Sequence, residues 1–76
     1  MIKEHDRVIL KVGVPGGELE AGDVGTVVHV YGDGRAYEIE FTTLEGETAA
    51  VVTVEASQVR PVGKREITHA RELSPA

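Results

Sequence analysis

Gly22-Asp23-Val24-Gly25-Thr26-Val27-Val28-His29-Val30-Tyr31-Gly32-Asp33-Gly34-Arg35-Ala36-Tyr37-Glu38-Ile39-Glu40-Phe41 is the stretch that decides the fold. Thr26 to Tyr31 is dense in β-branched residues and places apolar side chains on both faces, which marks a central or strongly coiled strand. Gly32, Asp33 and Gly34 supply the positive-φ positions of a tight hairpin, so Tyr37 to Phe41 returns antiparallel to that strand. Alternation in the returning strand is strict: Tyr37, Ile39 and Phe41 point inward, and Glu38 and Glu40 face water. Ahead of the pair, Gly22-Asp23-Val24-Gly25 is a turn. Its glycines permit positive φ and close backbone approach, and Asp23 is placed to hydrogen-bond neighbouring amides.

Outward from this hairpin the chain continues as short strands between turn residues. Upstream, Arg7 to Val12 alternates Val8, Leu10 and Val12 against Arg7 and Lys11, which predicts a first strand. Gly13 to Gly25, glycine-rich and holding Pro15, is a long structured loop anchored by Leu19 and Val24. Downstream, Leu44-Glu45-Gly46-Glu47 makes a second hairpin turn, with Gly46 at its bend, and Thr48 to Val54 is a fourth strand. Glu55 to Gln58 breaks the β pattern for one helical turn, and Val59 to Val62 resumes it, with Pro61 tolerable only on an edge or terminal strand. The order predicts an all-β fold: a small SH3-like five-stranded barrel over residues 1–62, with one short helical turn before its last strand. The expected core is Val8, Leu10, Val12, Leu19, Val24, Val28, Val30, Tyr37, Ile39, Phe41, Val52, Val54 and Val59. Residues 63–76 form a tail in which Ile67, Ala70 and Leu73 recur every third residue. That spacing fits either a frayed end or a docked short helix from about Glu66 to Leu73, closed by Ser74-Pro75.

Seventy-six residues suffice for one core and no more. The absence of cysteine rules out disulfides and thiolate metal sites and, with no apolar segment of signal-peptide length at Met1 to Asp6, leads us to expect a cytoplasmic protein. The longest apolar run, Ala49 to Val52, is far too short to cross a bilayer, so no membrane association is expected. Net charge is −5, unevenly spread: residues 1–62 hold five basic groups against eleven acidic ones, and the tail holds three against two. An acidic body repels phosphate backbones, which disfavours nucleic acid, and suits a basic protein instead.

His5, His29 and His69 lack any metal-ligand spacing, and nothing in the sequence sets a base or oxyanion donors beside Ser57 or Ser74. No catalytic, cofactor or metal site is therefore expected. His29 shares a strand face with Tyr31 and with a carboxylate across the hairpin, and reads as a surface histidine. Glu38 and Glu40 on one strand face, Glu45 and Glu47 at the next turn, and Glu18, Glu20 and Asp23 from the long loop are candidates for a single acidic surface that steers a basic partner. With Leu19, Tyr31, Ile67 and Leu73 they complete the expected contact set. Tyr31, Tyr37 and Phe41 are the only aromatics, too few to line a groove for proline-rich ligands.

The segments His5-Asp6-Arg7-Val8, Gly22 to Tyr31, Tyr37 to Phe41 and Val54 to Val62 together resemble a family of short, uncharacterised bacterial proteins, a domain of unknown function. More remotely, the order is similar to the SH3-like accessory barrels found in photosystem I, in the variable chain of ferredoxin-thioredoxin reductase and in the β chain of nitrile hydratase. The resemblance implies a non-catalytic accessory, antitoxin-like or escort protein bound to a larger one, and it carries no catalytic motif. Two alternatives stand beside it. One is a nucleic-acid-binding, translation-associated barrel; the other is a homo-oligomeric structural protein, a homodimer included, that pairs strand edges such as Val59 to Val62.

Overall fold

A computed structural model describes residues 1–16 and 18–73. Five strands and one 3-10 turn follow one another: β1 (Arg7–Leu10), β2 (Val24–Tyr31), β3 (Ala36–Thr42), β4 (Thr48–Glu55), the 3-10 turn Ala56–Gln58, and β5 (Val59–Pro61). All pairings are antiparallel in a single sheet of order β4-β3-β2-β1-β5. β2 serves two neighbours in turn: Val24 to Thr26 pair with β1, and Thr26 to Tyr31 pair with β3. The result is all-β and barrel-like, as expected, but the sheet is not closed.

Two turns carry the hairpins. Gly32, Asp33 and Gly34 all have positive φ, as their residue types predict, and the Gly34 and Arg35 amides both donate to the Tyr31 carbonyl. At the second turn Gly46 has φ of 95°, and the Glu47 amide donates to Thr43 Oγ1. Pro61 lies on the edge strand β5, opposite Val8 of β1.

The core comprises Val8, Leu10, Leu19, Val27, Tyr37, Ile39, Phe41, Val54 and Val59. Leu19 reaches it because the long loop is tied at its root: Leu10 donates to Asp23, Gly22 to Leu10, and Val14 to Leu19. Val30 and Val52 are only partly buried against this cluster.

Several expectations are corrected. Val12 is 46% exposed, because β1 ends at Leu10 and the chain turns into the loop. Val28 is 41% exposed while Val27 is wholly buried, because a β-bulge between Val27 and His29 inserts one residue and reverses which side chains point inward. Val24 is 42% exposed because it pairs with Ile9 on the outer face, the reverse of the core. Ile9, not expected inside, is only 6% exposed although its neighbours Val8 and Leu10 face the other way into the core.

The tail explains Ile9. Residues 66–73 form no helix; they run as an irregular strap over the outer face of β1, and Ile9 with Val24 and Val62 lines the cleft beneath Glu66 to Thr68. The predicted apolar stripe buries little, with Ile67 92% and Leu73 37% exposed, and so short a helix has no stability of its own. Ionic anchors hold the segment instead. The Ser74-Pro75 stop lies outside the described residues.

Candidate functional site

The first group of candidate side chains stands on the outer face of the β2-β3-β4 sheet. Glu38 lies between His29 of β2 and Thr53 of β4, and Glu40 between Thr26 and Val51. Strand alternation, with Tyr37, Ile39 and Phe41 committed to the core, forces both carboxylates outward. Among the described residues their side-chain partners are hydroxyls, not cations: Tyr31 donates to Glu38 at 3.4 Å, and Thr48 donates to Glu40 at 2.5 Å. The Thr48 contact brings Glu40 to the start of β4, beside the turn that carries Glu45 and Glu47, both exposed. The hairpin therefore presents four carboxylates to solvent.

His29 and Tyr31 meet edge to face on this surface, with ring centroids 4.4 Å apart, and Glu4 approaches His29 Nδ1 at 3.9 Å. The sequence placed His29, Tyr31 and a cross-strand carboxylate on one face, and the geometry agrees. Glu4 was missed, because nothing local signals that a pre-strand turn brings it there. His5 does not join: it occupies the positive-φ position of that turn, where Asp6 Oδ2 accepts the Lys3 amide.

The second group, from the long loop, is engaged within the molecule. Asp23 accepts the Glu20 amide at 2.8 Å, closing its turn as expected, and also receives two hydrogen bonds from the Arg71 guanidinium. Arg71 further donates to the Glu18 carbonyl at 2.7 Å and approaches Glu20 Oε2 at 3.6 Å. Burial works to raise the Asp23 pKa, but the Arg71 and Glu20 hydrogen bonds outweigh it and hold the carboxyl below its ordinary value. Arg71, like Glu4, is a residue that sequence reading passed over, since 48 positions separate it from Asp23.

A second anchor lies at the opposite end of the strap. Arg60 grips Glu66 in a two-pronged pair, at 2.8 and 2.6 Å, and the Gly63 amide donates to the same carboxylate. These bonds, the Arg60 one foremost, lower the Glu66 pKa to about 2.

The expected single acidic surface is thus divided between a hairpin group, Glu38, Glu40, Glu45 and Glu47, and a loop group of Glu18, Glu20 and Asp23 on which Arg71 sits. Leu19 leaves the contact set altogether, since it is buried in the core. Ile67 and Leu73 are at the surface, and Leu73 lies beside Ala49 and Ala50 of β4. Among the described residues no group of three or more His, Asp or Glu side chains is arranged to hold a metal ion, and no helix is long and apolar enough to cross a membrane.

A family model described as Domain of unknown function (DUF4926) matches residues 4–61, the barrel without its strap. No curated protein and no solved structure matches the chain, so the remote likeness to accessory barrels finds no support there.

Proposed function

This chain belongs to the DUF4926 family, and we propose that it is a non-catalytic accessory module that binds a larger, basic protein through the acidic face of its β3-β4 hairpin. One observation carries this reading: Glu38, Glu40, Glu45 and Glu47 gather on one hairpin with no cation against them among the described residues, while Asp23 and Glu66 are each paired with an arginine. Unneutralised carboxylates on a rigid sheet set up a local negative potential that favours encounter with a positive surface. Phosphate backbones are repelled by the same field.

The test is capture of proteins from the native lysate on the tagged chain and on its Glu38→Lys, Glu40→Lys double variant. A basic protein retained by the first and lost from the second supports the reading, provided both chains melt alike. Equal retention by both, or a bound set consisting only of nucleic acid, rejects it.

A further inference from the structure

The sheet has two edges, and they differ in kind. β5 is three residues long and contains Pro61, which has no N–H to offer, and beyond it the chain turns at Gly63 to be pinned by Arg60. β4 is eight residues, Thr48–Glu55, with no proline and no basic residue. The strand edge expected to pair, Val59 to Val62, is therefore the blunted one.

The bond from the Ala56 amide to the Arg35 carbonyl fixes the phase of the β3-β4 ladder. Antiparallel pairing alternates, so Ala50, Val52 and Val54 direct their backbone groups at β3, and Val51, Thr53 and Glu55 direct theirs to the open side. Gln58 Oε1 takes the Glu55 amide at 2.7 Å. Val51 and Thr53 keep both backbone groups free of any other bond among the described residues, and their side chains are exposed, Val51 by 50%.

We infer that this edge is a strand-addition site for an extended segment of a basic partner, which would pair with Val51 and Thr53 and extend the sheet by one strand; the inference rests on the protein-binding reading above. Charge selects the occupant. The cross-strand rows run Glu40-Val51 and Glu38-Thr53, so an added strand stands about 10 Å from those carboxylates, two strand spacings. Lys or Arg at every second position of the incoming segment, on the outer face, spans that distance across Val51 and Thr53. A second copy is disfavoured by net charge, since each copy carries −5, and in the register centred on Val51 Glu55 would also face Glu47.

The probe is a peptide alternating Lys and Val, with one alternating Glu and Val as control, titrated into the full chain. The basic peptide binds and the acidic one does not. Thr53→Pro removes only an outward N–H and weakens binding by about threefold to tenfold, the worth of one backbone hydrogen bond; Thr53→Ala binds as the parent does. In the parent, exchange of the Val51 and Thr53 amides slows on adding the peptide while that of Val28 does not. This readout decides the matter if Thr53→Pro fails to fold. Unchanged exchange, or equal binding by the proline and alanine variants, overturns strand addition but leaves the acidic-face reading standing if Glu38→Lys, Glu40→Lys still loses the basic partner. Dimerisation of the chain without peptide, seen by light scattering, assigns the edge to a second copy and also overturns it.

Discussion

Gly22 and Gly25 stand three positions apart and are glycine for different reasons. Gly22 has φ of 97° with nothing near its absent side chain, so its constraint is the backbone angle alone. Gly25 has an ordinary φ, but a Cβ there would lie 2.5 Å from Ile39 Cγ2 and 2.9 Å from Phe41 Cε1, both core atoms. Gly22→Ala should cost about 1 kcal/mol through backbone strain, and Gly25→Ala about 1–3 kcal/mol through overpacking. Denaturant unfolding distinguishes them further, because Gly22→Asn restores most of the loss and Gly25→Asn deepens it. The bulge makes a second contrast between neighbours. Val27→Thr buries a hydroxyl beside Ile39 and should cost about 1–3 kcal/mol, whereas Val28→Thr at the exposed bulge stays within about 0.5 kcal/mol of the parent.

At the level of the element, the strap is held by two ion pairs rather than by apolar burial. Glu66 has a folded pKa of about 2, and that of Asp23 is also depressed. A depressed carboxylate contributes stability that is full above its unfolded pKa, here about 4.5 and 3.8, and disappears as pH falls through the folded value. Acid should therefore release the strap between about pH 4.5 and pH 2, before the barrel unfolds if the core is otherwise intact. Amide exchange of residues 66–71 measures the release directly. Arg71→Ala should free the distal half of the strap at neutral pH and leave the Arg60-Glu66 turn closed. Because the Arg60-Glu66 pair is well exposed, raising salt should loosen it more than the Arg71-Asp23 pair, whose side chains are 28% and 18% exposed.

Taken whole, the molecule is an anionic barrel whose strap spends its arginine, Arg71, on the loop carboxylate Asp23 and its carboxylate, Glu66, on Arg60. Association with the basic partner should slow steeply as ionic strength rises from about 0.01 to 0.15 M, over which the screening length falls from about 30 to 8 Å. Stopped-flow rates test this, and Glu38→Lys, Glu40→Lys should flatten the dependence. The sequence alone determined the strand order, both glycine turns, the inward Tyr37-Ile39-Phe41 row and the outward Glu38 and Glu40, because local alternation and turn chemistry depend on adjacent residues only. Tertiary structure decided which of Val27 and Val28 is buried, why Ile9 is covered, that Asp23 belongs to Arg71, and which sheet edge carries unpaired backbone groups among the described residues. Each of those rests on contacts between segments distant in the chain, or on a single inserted residue that shifts the pleat, and neither leaves a periodic mark in the sequence.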